Sequence, residues 1–238
     1  MSGHSKWSTI KRQKGATDQK RGNLFTKLGN NIVVAARQGG GDPEMNFQLR
    51  LAIDRAKASN FPKENIDRAI KKGTGELAGE ELKEMVFEGY GPAGVAMIIE
   101  VLSSNRNRAT STIRNILAKY GGKLGELGSV NWNFVRQGVM GISAAVDKEK
   151  VELAAIEAGV EDVSEEPEGI IVFTEPGRLE TVKNKLEQQG IIIDYAQIAM
   201  VAANKTSIND KEKSSFHKLE QELLDSDEVN NVYSNADL

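Results

Sequence analysis

The sequence predicts an α+β protein of three domains, an amino-terminal helical unit and two ferredoxin-like α+β units, with the third domain inserted into the second. Three observations carry this reading. Apolar residues recur at spacings of three and four up to residue 75, and fall into short alternating or continuous runs after it. Between residues 135 and 205 the elements follow the order strand, helix, strand, strand, helix, strand. Residues 206–238 offer one helix and one short strand, too little to fold alone and enough to complete a preceding sheet. The expected bounds are 1–75 for the basic helical domain, 76–134 with 206–238 for the discontinuous domain, and 135–205 for the insertion.

The helical unit opens with Phe25, Leu28, Ile32 and Ala35/Ala36 on one face. GGGDPE stops that helix, and Asp42 with Pro43 suits the N-cap and first position of a second, which carries Leu49, Ala52, Ile53 and Ala56. FPKEN restarts a short helix with Ile66, Ala69 and Ile70 before Gly73. Beyond Gly75, VFEGYGPAGVAMIIEVLS predicts a hairpin around a Gly/Pro turn. Ala109, Ile113, Ile116 and Tyr120 then share a helical face that Gly121-Gly122 ends. In SVNWNFV, Val130, Trp132 and Phe134 alternate as a strand would. On an open sheet Trp132 and Phe134 would stack on bases, but that sheet needs a covering layer of helices, so both are expected in the core. At the far end Phe216, Leu219 and Leu223 mark a helix, followed by a strand around Val232-Tyr233.

With 39% apolar and 27% charged residues the chain has the composition of an ordinary folded protein. It holds no cysteine, which excludes disulfides, thiolate metal sites and cysteine nucleophiles. No apolar run reaches the roughly 20 residues of a membrane span, and the polar, basic start lacks a secretory h-region. A cytoplasmic protein without a membrane partner is expected. The net charge of −3 conceals an asymmetry: residues 1–75 carry 15 Lys/Arg against 6 Asp/Glu, and the remainder carries 16 against 28. A basic unit joined to an acidic remainder has one anion-facing region, and the acidic third domain is left for a protein partner or for solubility.

The densest basic stretch is GHSKWSTIKRQKGATDQKRGNLFTK, where Lys6, Lys11, Arg12, Lys14, Lys20, Arg21 and Lys27 are opposed only by Asp18. Such clusters neutralise phosphates and release counterions, and Trp7 adds an aromatic face for a base or an anchor for the tail. A second zone, Val101 to Gly125, holds Arg106, Arg108, Arg114, Lys119 and Lys123 with no acid. Arg106, Arg108 and Arg114 are its candidate phosphate contacts.

Signals for catalysis are thin. GYGPAG matches the dinucleotide fingerprint in form, but strand-like residues follow it and the acid about 20 residues on is missing, so it is a turn. Walker A, HExxH and GxSxG are absent. His4 and His217 are the only histidines, and the acidic run EDVSEEPEG misses the calcium-loop spacing and is expected to be a solvated loop. No enzyme, cofactor or metal is expected.

The segments GHSKW, IKRQK, RGNLFTKL, GGGDPEMN, RAIKKGTGE, FEGYGPAGV, SNRNR and GGKLGELGSVNWNF, in this order over nearly the whole chain, resemble the YebC/PmpR family, which includes the mitochondrial translational activator of cytochrome oxidase. The resemblance implies a crescent of one helical and two α+β domains without catalytic residues. It implies a DNA-binding transcriptional regulator, or alternatively a translation factor that meets ribosomal or messenger RNA. Asn23 stands where Lys is common in the family, and Ser104 where Asp is usual; Ala196-Gln197 and Val201-Ala202 stand for the usual Ala-Glu and Ile-Pro.

Overall fold

The structure is a computed structural model that describes residues 18–78, 82–143, 147–167 and 169–238, with side chains from residue 22 onward. The amino-terminal unit is three helices, α1 (Asp18–Gly39), α2 (Phe47–Ala58) and α3 (Lys63–Gly73). Leu28, Ile32, Leu49, Ile53 and Ile66 form its core, and Phe25 meets Phe61 edge to face at 5.2 Å. Gly73 ends α3 against α1, where a Cβ would lie 2.5 Å from the Val33 carbonyl oxygen. Only a glycine lets the two backbones approach so closely.

The second helix begins at Phe47 and not near Pro43, which lies in a turn. The cap is Asn46: its Oδ1 accepts from the Leu49 N–H at 3.0 Å, and its Nδ2 donates to the carbonyls of Ala35 and Gly40, each at 2.8 Å. One buried amide thus caps α2 and ties it to the end of α1, which outweighs the Asp-Pro start signal.

Next come β1 (Lys83–Tyr90), β2 (Ala96–Ser103), α4 (Arg106–Lys119), β3 (Lys123–Leu124), β4 (Phe134–Ser143), α5 (Lys148–Ala158), β5 (Asp162–Glu166), β6 (Gly169–Thr174), α6 (Leu179–Gln188) and β7 (Tyr195–Ala202). The chain ends with β8 (Thr206–Ser207), α7 (Asp210–Asp225), β9 (Val229–Ser234) and β10 (Ala236–Asp237). The protein is α+β, as the sequence predicts.

The middle sheet has the order β3-β1-β2-β9 and is antiparallel throughout. Its fourth strand comes from beyond β7, so the chain leaves this sheet, builds another and returns. The turn between β1 and β2 is Pro92–Gly94, closed by the Gly91 N–H on the Val95 carbonyl at 2.8 Å. The second sheet has the order β5-β6-β4-β7, again antiparallel, which is the ferredoxin-like arrangement. The acidic run belongs largely to β5 and not to a loop; as an edge strand it exposes carboxylates that discourage pairing with another chain.

Each sheet carries two helices on one face. Phe87, Met97, Ile99 and Val101 meet Ile113 and Leu117 of α4 and Phe216, Leu219 and Leu223 of α7. Met140, Ile142, Ile170 and Val172 likewise meet α5 and α6 through Val151, Ala155, Val182 and Leu186. The bare faces pack on each other: Ala96, Ile98 and Tyr233 against Val139, Ile171, Phe173 and Ala199. The two units therefore stack as helix, sheet, sheet, helix. That burial on both faces explains why β2 and β6 are apolar almost without interruption.

The helical unit docks on both others. Arg37 donates to the Leu82 carbonyl at 3.0 Å and Gln38 to Glu84 at 2.8 Å, while Arg50 pairs with Glu180 of α6. A cavity of about 430 Å³ remains where the units meet, with Arg55 and Arg136 facing Glu84 and Glu100 around its wall. Glu100 accepts from Asn231 at 2.8 Å and from the Tyr233 hydroxyl at 3.2 Å. Burial, with Glu100 beside it, pushes that phenol well above its ordinary value.

Candidate nucleic-acid interface

Of the amino-terminal cluster, Lys6, Trp7, Lys11, Arg12 and Lys14 lie outside the described residues. Lys20 and Arg21 occupy the start of α1, with side chains outside the description. Lys27 faces inward. Its ammonium donates to the Leu224 carbonyl at the end of α7, and Asn23, one turn earlier on α1, donates to the adjacent Asp225 carbonyl at 2.8 Å. Burial pushes Lys27 down to about 8, against the pull of Asp225 and Asp227 in the other direction. Lys27 thus joins the helical unit to α7, and Asn23 serves the same seam.

The second basic zone is α4 with β3. The helix starts at Asn105, whose side chain accepts from the Arg108 N–H at 3.0 Å. Ala109, Ile113 and Leu117 face the sheet, which turns Arg106, Arg108 and Arg114 outward, all three exposed. Arg108 Nε lies 2.7 Å from Glu228, and Lys119 lies 2.6 Å from Glu222, which also accepts from the Tyr120 hydroxyl. Among the described residues Arg106 and Arg114 have no ion-pair partner. The zone that counts as five bases in sequence therefore presents fewer unopposed charges: acids from α7 and the turn before β9 answer two of them.

Trp132 departs from expectation. Residues Asn131–Asn133 form a short 3₁₀ turn and the strand begins at Phe134. Phe134 is buried, as predicted, but between the two sheets and not under helices, and Trp132 is 73% exposed. The cause is Glu88 on β1, a carboxylate only 4% exposed. Its two oxygens accept from the backbone N–H groups of Gly128, Val130 and Asn131 at 2.7, 2.7 and 2.9 Å. Burial pushes this carboxyl up, but the three donors outweigh it and hold Glu88 below its ordinary value.

Around that anchor the loop is fixed at several further points. The Trp132 indole N–H donates to the Ser129 carbonyl at 3.0 Å, and the Tyr90 hydroxyl donates to the same oxygen at 3.1 Å. Asn133, 3% exposed, is tied to Asn204 by its Nδ2 at 2.9 Å and by its Oδ1, which accepts from the Asn204 N–H at 2.9 Å. Lys123 lies 5.5 Å from the centroid of the Tyr90 ring, and Leu127 at the loop tip is 88% exposed. The sequence offers Trp132 as a stacking residue only on an open sheet, a reading set aside for the core; the local signal for the loop itself is the Gly125 and Gly128 spacing between two strands, and Gly128 has φ +87°.

Among the described residues no group of three or more His, Asp and Glu is placed to hold a metal ion, and no helix is long and apolar enough to cross a membrane. His217 is half-buried on α7, and His4 lies outside the described residues.

Comparison with known proteins follows the same division. Residues 5–76 match the family model described as the TACO1/YebC protein N-terminal domain, and residues 82–236 match that of the TACO1/YebC second and third domain. A protein of Trichlorobacter lovleyi called a probable transcriptional regulatory protein is 49% identical over 238 residues, covering 100% of this chain and 96% of its own. One of the same name from Halothermothrix orenii is 49% identical over 242 residues, with the same coverage. The crystal structure of a conserved hypothetical protein from Aquifex aeolicus superposes with a TM-score of 0.86 at 42% identity, covering 94% of this chain and 93% of that one. With both family models matched and this identity held over its whole length, the chain belongs to the TACO1/YebC family.

Proposed function

We propose that the protein is a non-enzymatic, nucleic-acid-binding regulator of gene expression, with DNA as its ligand and transcription as its level of action. The observation that carries the reading is the segregation of charge. Lys6, Lys11, Arg12, Lys14, Lys20 and Arg21 crowd the amino terminus in a unit with 15 bases and 6 acids, and a second exposed basic surface holds Arg106 and Arg114. Phosphates are the partners such surfaces take, with an affinity that is mostly electrostatic and falls steeply with salt. The names of the relatives support regulation of transcription.

In this reading Lys27 contributes as part of the seam with α7, and Arg108 shares its charge with Glu228. The third unit serves a protein partner: α5 exposes Leu153 and Ile156 one turn apart, at 61% and 70%. The test is crosslinking in cells followed by identification of the bound nucleic acid. Enrichment of promoter DNA is expected. Enrichment of ribosomal or messenger RNA alone would place the protein in translation, and recovery of neither would overturn nucleic-acid binding.

A further inference from the structure

We infer that the loop from Gly125 to Asn133 is a prebuilt stacking platform for an unpaired nucleobase, so that the ligand of this protein includes a single-stranded stretch. The inference rests on the nucleic-acid reading above and adds a site and a ligand form to it. An exposed tryptophan costs free energy in water, and an isolated one on a mobile loop would fold back onto the nearest apolar surface. Here the opposite is built. A buried carboxylate accepts from three backbone N–H groups of this loop, the buried asparagine that follows the tryptophan is locked to Asn204, and the indole N–H is held by the Ser129 carbonyl. The ring is thus kept 73% exposed with its only polar atom already engaged. What it offers a ligand is its π face.

The surroundings select the ligand. Lys123 sits beside Tyr90, and Tyr90 shares the Ser129 carbonyl with Trp132, so a cation lies on the same small patch as the two aromatics. The loop continues from the basic zone, in which Glu228 and Glu222 answer Arg108 and Lys119 while Arg106, Arg114 and Lys123 have no ion-pair partner among the described residues; Glu126 is the one carboxylate within the loop. Aromatic faces next to cations are how proteins hold single strands, whose bases have faces free to stack and whose phosphates lie within reach. In an unbroken duplex every base face is already occupied. Leu127, 88% exposed, stands ready to contact the sugar or the next base.

The test compares the intact protein with Trp132→Leu and Trp132→Phe, titrated with short oligo-dT and oligo-U single strands and with a duplex of equal length. Trp7 and Trp132 are the only tryptophans, so quenching is read in a Trp7→Phe background and affinity by the anisotropy of labelled strands. The single strands should quench Trp132 in that background. Trp132→Leu should lose that quenching and about 5- to 150-fold in single-strand affinity, with much less change for the duplex, and Trp132→Phe should recover most of the affinity. Its thermal midpoint should stay within a degree or two of the intact protein's, since the side chain is mostly in water. The dT and U arms distinguish melted DNA from RNA as the source of the base. Equal single-strand affinity for Trp132→Leu and the intact protein would overturn the platform while leaving nucleic-acid binding standing. Failure of the intact protein to bind either a single strand or a duplex would overturn both.

Discussion

The middle and third units each lay two helices over one face of a four-stranded antiparallel sheet, yet they reach that arrangement differently. The third unit is one continuous piece of chain, β4 to β7. The middle one takes β1, β2, α4 and β3 from before that piece and α7 and β9 from after it. Their surfaces differ too. The third unit carries an acidic edge strand and the apolar Leu153 and Ile156, whereas the middle unit carries Arg106, Arg114 and the Trp132 loop. A shared frame with opposite surfaces teaches that function here lies in what is set on the frame. Dependence on distant chain segments falls on the unit with the basic surface.

The strongest way to break the comparison is truncation. Removing residues 206–238 deletes Phe216, Leu219 and Leu223, all fully buried, each worth about 2–5 kcal/mol. Against a typical total of about 5–15 kcal/mol, the middle unit cannot survive that loss. The third unit keeps all of its own strands and should still unfold cooperatively, at a midpoint that hydrogen exchange of β4 and β6 amides would follow. Loss of protection in both units together would mean that the face joining the sheets makes them one cooperative body.

Next in size is the anchor of the Trp132 loop. Glu88→Gln replaces an acceptor of three backbone N–H groups by an amide that satisfies fewer, at a cost of about 1.5–3 kcal/mol near neutral pH. The folded-state value of Glu88 is depressed. Its contribution is therefore complete above the unfolded value of about 4.3 and is lost as pH falls through the folded one. The gap between intact protein and variant in urea unfolding should narrow as pH falls below the unfolded value and close below the folded one. A gap that persists at low pH would show that the cost comes from packing.

A smaller effect is expected at the seam between α1 and α7. Lys27 titrates at about 8 in the folded protein against an ordinary 10.5, so between those values the unfolded chain holds the extra proton and stability rises with pH. Relative to Lys27→Met, the intact protein should gain about 1–3 kcal/mol on going from pH 8 to 10.5. A flat difference would mean that the ammonium is well solvated at the seam.

Most elements of both units are legible in the sequence, because apolar spacing records which face of a helix or strand is covered. The start of α2 is not, since Asn46 acts through carbonyls at positions 35 and 40 on the preceding helix. Trp132 is misjudged for the same kind of reason. Alternation marks Val130, Trp132 and Phe134 as one face, but a carboxylate from β1 bends the backbone between them. Counting charge along the chain identifies the basic zones and overstates one of them: Glu222 and Glu228, which answer Lys119 and Arg108, are over a hundred residues away. The stacking of sheet on sheet left a readable trace in the unbroken apolar runs AMII and IIVF, which a period-based reading treats as simple strands.

The central claim, that the basic surfaces of the helical and middle units grip one polyanion, is tested most directly by salt titration. Affinity for a duplex and for a single strand would be measured across a range of salt for the intact protein and for the double variant Arg106→Ala with Arg114→Ala. Both side chains are exposed and unpaired among the described residues, so thermal stability should hold while affinity falls. Each lost phosphate contact should flatten the slope of log affinity against log salt by about 0.9 for the duplex or about 0.7 for the single strand. An unchanged slope, with affinity intact, would contradict the account and confine nucleic-acid contact to the helical unit.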